Sequence, residues 1–168
     1  MDLLVRLYAL PPVAPRVAAV AGKGVSVRRA LASEKHVVVE WARQHGSPGW
    51  ASECDVAFAR QPIGCFVAVE AGPQPSSGYP TAPESLIGFA CIEATARGFF
   101  GPQCVRAARR GVGGGAALLL TALHAMAAEG YAYGIIGWAA EVDFYKRVAA
   151  AEPISGSEPG IYRGPLRP

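Results

Sequence analysis

From Gly111 to Ala128 the chain reads Gly-Val-Gly-Gly-Gly-Ala-Ala-Leu-Leu-Leu-Thr-Ala-Leu-His-Ala-Met-Ala-Ala, without one formal charge. Arg109 and Arg110 stand before this run and Glu129 closes it. No other segment narrows so far what the chain can become. A membrane span takes about 20 mostly apolar residues. The apolar part, Ala116–Ala128, is shorter than that and carries Thr121 and His124. It reads as a helix buried inside a protein, closed by Gly130 at its C-terminal end. Gly111, Gly113, Gly114 and Gly115 leave backbone N–H groups unshielded by side chains, and the first N–H groups of a helix have no intrahelical partner. With the helix dipole they make an anion site, to which Arg109 or Arg110 adds a full positive charge. A phosphate or pyrophosphate is the natural guest.

Composition removes several classes of protein. A length of 168 residues suits one domain, and 51% hydrophobic residues supply a core. Charged residues make up 17%, against about 25% in ordinary soluble domains, and the deficit concentrates in the run above. The start, Met1-Asp-Leu-Leu-Val-Arg6 and then Pro11-Pro12, lacks the basic and long apolar regions of a signal peptide. The expectation is a soluble, cytoplasmic protein without a membrane partner. A net charge of +3, and no basic stripe beyond Arg106, Arg109 and Arg110, argue against nucleic acid. Cys54, Cys65, Cys91 and Cys104 form no Cys-x-x-Cys pair and have no His at ligand spacing. They are expected to be reduced and buried, with no metal, and a nucleophilic Cys would need a His partner that sequence does not place.

Periodicity and punctuation give the order of elements. Leu3–Tyr8 reads as a strand ended by Pro11-Pro12, and Ala14–Ala21 as a short helix ended by Gly22 and Gly24. Val25–Arg29 alternates as a strand. Ser33 is placed to cap a helix with Val37, Val38 and Trp41 on one face, ending near Gly46. Ser47-Pro48-Gly49 reads as a turn. Trp50–Arg60 reads as a helix with Trp50, Cys54, Val56 and Ala57 inward, and Ile63–Val69 as a strand. Ala71–Glu84, with its prolines and no apolar period, reads as a solvent loop joining two strands. Leu86–Glu93 and Gly98–Val105 follow as strands, the second broken by Gly101-Pro102. Then come the Ala116–Glu129 helix, a Tyr131–Trp138 strand and a Val142–Ala149 helix. Ile154 and Ile161–Tyr162 suggest a final pair of strands. No internal repeat is present, and the order is mixed α and β.

Three known turns resemble the glycine-rich one. A P-loop needs Gly-x-x-x-x-Gly-Lys-Ser/Thr, and no Lys follows here. Gly111, Gly113 and Ala116 match the dinucleotide turn Gly-x-Gly-x-x-Gly/Ala. That turn wants a buried parallel strand before it, where this chain has Arg106–Arg110, and more chain after it than remains. An NAD-binding oxidoreductase is therefore a remote alternative. The third pattern is Arg/Gln-x-x-Gly-x-Gly/Ala, here Arg110-Gly-Val-Gly113-Gly-Gly115 followed by Ala-Ala-Leu118-Leu119. It resembles motif A of the GNAT superfamily of N-acetyltransferases. Leu86-Ile-Gly-Phe-Ala-Cys-Ile-Glu93 resembles that superfamily's third strand, Tyr133-Gly-Ile-Ile-Gly-Trp138 its fifth, and Val142-Asp-Phe-Tyr-Lys-Arg-Val148 its short helix with Phe-Tyr. Val25–Arg29 and the two helices after it fit its first strand and first helical pair. Relatives often carry a basic or polar residue where Val112 stands and an aliphatic where Gly114 stands. A second register, with Gly111-Val-Gly113 as the Gly-x-Gly and Ala108 in the first place, is also open.

The resemblance implies an α/β, single-domain GNAT-like fold. Its central sheet is mixed and mostly antiparallel, of about six to seven strands, flanked by about four helices. The core would span about 24–164, with residues 1–23 an N-terminal extension. It implies an acyltransferase moving an acetyl group directly from acetyl-CoA, the cosubstrate, to a primary amine of a small molecule or peptide. The alternative is a non-catalytic CoA-binding sensor or interaction module. Cys104, Val105, Arg106, Arg110, Gly111, Val112, Gly113, Gly114, Gly115 and Ala116 would bind the cofactor. The strand around Gln103–Arg106 would meet the pantetheine amides. Tyr145 stands where the superfamily keeps the acid that protonates the departing thiolate. Many relatives dimerise, so a homodimer is admitted. Glu70 and Glu93 end strands and read more simply as surface or loop carboxylates than as bases. His124 reads as a satisfied core histidine, and Trp138 as either a core aromatic or part of the acceptor site.

Overall fold

The computed structural model describes residues 1–72, 84–162 and 166. Its elements, in chain order, are β1 (Leu3–Arg6), α1 (Ala14–Ala21), β2 (Val25–Arg29), α2 (Lys35–His45), α3 (Pro48–Ala59) and β3 (Cys65–Ala71). There follow β4 (Glu84–Ile92), β5 (Phe99–Val105), α4 (Gly114–Ala128), β6 (Tyr133–Ile136), α5 (Val142–Ala149) and β7 (Glu152–Pro153). The strands make one seven-stranded sheet in the order β2-β3-β4-β5-β6-β1-β7. Every neighbouring pair is antiparallel except β5 and β6, which are parallel. This is the mixed, mostly antiparallel α/β architecture the sequence implied.

Both faces of the sheet are covered along its central strands, so Cys65–Val69 of β3 and Leu86–Ile92 of β4 run without a polar side chain. In β3, Cys65, Val67 and Val69 turn to the face under α2 and α3, and Phe66 and Ala68 turn to the face under α4. In β4, Phe89 and Cys91 go to the first face and Ile87 and Ile92 to the second. Helix α4 packs against β4, β5, β3 and β2 and is flanked by α1 and α5. Nine of its residues are buried, from Gly114 to Met126, including Leu118, Leu119, Leu120 and Leu123. That enclosure accounts for the missing charges. Gly88 of β4 is part of it, because a Cβ there would lie 2.7 Å from the Cys104 carbonyl and 3.3 Å from Leu118 Cδ1.

The helices start and stop where local chemistry demands, with some departures from expectation. Ser47 caps α3, its hydroxyl accepting from Trp50 N–H at 3.1 Å, so the helix begins at Pro48 instead of Trp50. Ser33 does not cap α2. It lies in a 3-10 turn, Ala32–Glu34, and the Glu34 carboxylate takes Leu31 N–H at 2.7 Å and the Arg28 guanidinium. Val38, Trp41 and Ala42 are the buried residues of α2, and Ala51, Cys54, Ala57 and Phe58 those of α3. Val37 and Val56, expected inside, are 50% exposed. Among the described residues, the segment from Glu152 onward holds the two-residue β7 and a 3-10 turn at Gly160–Tyr162, not a final pair of strands. Ala71 and Glu84 face one another across β3 and β4. The proline-rich loop between them falls, from 73 to 83, outside the described residues.

The largest correction concerns residues 1–23. Leu3–Arg6, expected to lie outside the core, is an internal strand between β6 and β7. Leu3 faces Ile136 on one side and Pro153 on the other. Leu3 and Val5 are fully buried, and Arg6 pairs with Glu152 at 2.8 Å on the surface. Helix α1 then lies against β2 and α4. Leu3→Ala should therefore cost about 2–5 kcal/mol in chemical denaturation, as for any enclosed leucine. A loss below about 0.5 kcal/mol, the usual range for surface changes, would show that the strand is dispensable to the folded core.

Candidate functional site

The site begins where β5 loses a neighbour. On one side β5 stays paired with β4 as far as Val105, which faces Gly88. On the other it pairs with β6 only at Phe99 and Phe100, opposite Ile135 and Ile136. Pro102 brings no N–H to a ladder, and from Gly101 onward β5 has no β6 partner. A cleft opens between the parallel strands, and one edge of Gln103–Val105 keeps its peptide groups available. The Cys104 side chain turns away from the cleft, with Sγ 3.7 Å from the His45 carbonyl. Burial pushes its thiol up, with Arg110 opposing.

The chain then makes its last rung, Arg106 N–H to the Ile87 carbonyl at 2.8 Å, and a 3-10 turn, Ala107–Arg109. Gly111 and Gly113 have φ of +84° and +107°, values that side chains with a Cβ rarely adopt. Gly113 is the N-cap of α4 and offers no side chain to its first turn. The N–H groups at the start of the helix are thus left to an outside acceptor. Gln103 ties β5 to this turn, its Nε2 donating to the Gly115 carbonyl at 2.7 Å. Gln103 Oε1 is buried and, among the described residues, has no partner.

Three cations surround the turn. Arg109 is held by Glu70, at 2.9 Å and 3.0 Å, so Glu70 steadies the loop from β3. Arg110 lies back along the turn toward the Val105 carbonyl, at 3.4 Å. The third is Lys23, whose Nζ donates to the Val112 carbonyl at 2.9 Å. Sequence reasoning missed Lys23, which lies far from the motif and outside the expected core. Only the packing of α1 on α4 brings it here, with Val20 Cγ1 3.2 Å from where a Gly113 Cβ would stand.

Tyr145 reaches the same cleft from α5. Its ring sits edge-to-face on Phe100, the last residue paired to β6, with centroids 6.4 Å apart. Its neighbour Phe144 packs over the first turn of α4, with Cζ 3.7 Å from a Gly115 Cβ position. The Tyr145 hydroxyl makes no hydrogen bond among the described residues. Burial, with Glu141 nearby, pushes its pKa up to about 12. The structure thus gathers Val105, Arg110, Gly111–Gly115 and Ala116 at the turn, with Phe144 against Gly115 and Tyr145 beside Phe144 on Phe100. Arg106 points aside, bonding the Leu86 carbonyl at 3.1 Å.

The other candidates are accounted for. Glu93 accepts from Gly98 N–H and from the Tyr131 hydroxyl, at 2.5 Å and 2.8 Å, and so clamps the turn between β4 and β5. His124 shares 2.9 Å with the Pro11 carbonyl and joins α4 to the N-terminal segment. Trp138 follows β6 in the left-handed region, φ +44°, with its N–H on Asp2 Oδ1 at 2.9 Å. Its ring is 62% exposed and packs against Tyr162, with centroids 4.8 Å apart. The two aromatics and Asp2 line a cavity of about 360 Å³ beside the end of β6. Among the described residues, no helix is long and apolar enough to cross a membrane.

No family model and no curated protein matches the sequence. Solved structures match the fold. One is a GCN5-related glucosamine N-acetyltransferase region in a fungal multi-domain GH3 β-N-acetylglucosaminidase. It has a TM-score of 0.66 and 16% identity over 88% of this chain and 19% of that one. Another is a GCN5-related N-acetyltransferase from Sphaerobacter thermophilus, with a TM-score of 0.61 and 18% identity over 90% of this chain and 47% of that one. The chain thus spans less than half the length of either. Its fold is that of the GCN5-related N-acetyltransferases.

The turn's geometry separates its glycines. Gly113→Ala should lose about 1–3 kcal/mol, the cost of holding a Cβ at a left-handed φ. Gly114→Ala, with open space around a helical backbone, should be neutral or gain up to about 1 kcal/mol. Equal effects in thermal unfolding would contradict this backbone.

Proposed function

We propose that the protein moves an acetyl group directly from acetyl-CoA to a primary amine. The observation that carries this reading is one juxtaposition. The glycine turn opening α4 and a tyrosine whose hydroxyl makes no hydrogen bond among the described residues stand where β5 parts from β6. N–H groups of Gly114, Gly115 and Ala116, with Arg110 and Lys23, meet the pyrophosphate. The free edge of Gln103–Val105, and the unpartnered Gln103 Oε1, meet the amides of the pantetheine arm. A backbone N–H of that edge donates to the thioester carbonyl, where negative charge grows as the amine adds.

Tyr145 gives its proton to the sulfur as the C–S bond breaks, and the proton shed by the acylated nitrogen passes to solvent, from which the phenolate is reprotonated. Burial raises a thiol's affinity for protons as it raises a phenol's, so donor and acceptor shift together in the cleft. A folded pKa of about 12 keeps the donor loaded through the neutral range. The amine attacks as the neutral base. Trp138 and Tyr162, with Asp2 at their side, suit an acceptor that arrives as an ammonium ion.

Acetyl-CoA at 100 times its Kd should stabilise the protein by about 2.7 kcal/mol, and no shift in melting temperature would refute the assignment. Gly113→Asp should abolish that shift. Tyr145→Phe should lower kcat about 100-fold or more with unchanged acetyl-CoA affinity. Stabilisation without turnover on a panel of amines would instead identify a CoA-binding module.

The pH profile follows from the same groups. Activity should rise as the acceptor amine loses its proton, with no falling limb from Tyr145 below about pH 10, the ordinary phenol value. The folded protein holds the Tyr145 proton more tightly than the unfolded chain. Stability from this group is therefore complete below about pH 10 and is lost as pH climbs through about 12. Tyr145→Phe should remove that alkaline loss in melts taken between these limits.

A further inference from the structure

Away from the cleft, three cysteines from separate parts of the chain converge under α2 and α3. Cys54 comes from α3, Cys65 from the start of β3 and Cys91 from β4. Cys65 and Cys91 stand opposite one another in the antiparallel pair. The three sulfurs lie within 4.8 Å of one another, with 3.5 Å between those of Cys54 and Cys91, and all three residues are 0% exposed. The surrounding core includes Trp41, Ala57, Phe58, Val67 and Phe89. Among the described residues no His, Asp or Glu joins them, and Cys104 faces the His45 carbonyl. Acetyl transfer uses none of the three.

The donor set selects its ligand. Three buried sulfurs with no His, Asp or Glu donor beside them among the described residues suit a thiophilic centre of coordination number three, whereas structural zinc takes four ligands. Charge selects further. Three thiolates leave a net charge of two negatives around a monovalent ion and one around a divalent ion. Neither is compensated in an apolar core. A trivalent centre leaves none. We propose that Cys54, Cys65 and Cys91 form a binding site for trivalent arsenic, taken up from arsenite as a neutral tris-thiolate. Overall, three S–As bonds form and three As–O bonds break. Each thiol hydrogen leaves with a hydroxyl as water, and no electron changes hands. Hydrogen bonds from Cys65 and Cys91 lower the Cys54 thiol. The hydrogen bond with Cys54 raises Cys65, and burial raises Cys91. Once formed, the bridge fastens α3 to β3 and β4.

The test uses the reduced, full-length protein without oxygen, with arsenite added to the folded protein and, separately, during refolding. Intact mass should show one arsenic gained and three hydrogens lost, with a raised melting temperature. Cys104→Ala should keep the adduct. Cys54→Ala, Cys65→Ala and Cys91→Ala should each lose it. Absence of the adduct under both conditions would overturn the proposal. So would its loss in Cys104→Ala, or preferential retention of Zn(II) or Cu(I) by the wild type. Should a variant fail to fold, X-ray absorption of the wild-type adduct decides. Three sulfur neighbours and no oxygen support the site, and a retained oxygen refutes it.

Discussion

Parallel pairing between β5 and β6 lasts for two residues and then stops, and the rest of the site is arranged around that ending. A parallel ladder carried further would consume the peptide groups of Gln103–Val105. Its interruption leaves those groups free, opens a cleft through the sheet, and gives the α4 turn and α5 a common place to meet. Phe100 marks the hinge of this arrangement: it is the last β5 residue paired to β6 and the surface on which the Tyr145 ring rests. Gln103, three residues on, ties the parting strand to the helix that follows it.

Holding a helix N-terminus at the mouth of such a cleft requires that the helix itself cannot move. Helix α4 meets this by being enclosed, with the sheet beneath it and α1 and α5 at its sides. Its length carries no charge because little of its surface meets water. The polar demand is concentrated at its first turn, where backbone groups face outward. Cations then gather from three directions: Arg109 steadied by Glu70, Arg110 folded along the turn, and Lys23 from the N-terminal segment.

Much of this was legible in the sequence, for identifiable reasons. The turn and α4 announce themselves because glycine spacing and an uncharged run are local features. Tyr145 follows from a motif close to its own helix. What escaped was whatever depends on contacts between distant parts of the chain. Leu3–Tyr8 is a short apolar run and was readable as a strand, but nothing in it states which strands it joins. Lys23 has no distinguishing neighbours, and only the seating of Val20 against Gly113 brings it to the turn. The cysteine cluster joins residues from three elements and leaves no spacing signature. Ser33 shows the opposite failure. A plausible cap was present, yet Glu34, anchored by Arg28, met the backbone donor first.

The position of β1 also has a bearing on how the molecule is made. Leu3 and Leu4 are flanked on one side by residues 135 and 136 and on the other by residues 152 and 153. During synthesis, the first strand of this chain emerges with neither neighbour yet in existence. It must wait, apolar and unpaired, until residues 133–153 have left the ribosome. Closing so long a loop carries an entropic penalty that no local contact repays in advance. The sheet is therefore completed late, as a seam between residues 3–6 and residues 133–153. The half containing β2, β3 and β4 can assemble first.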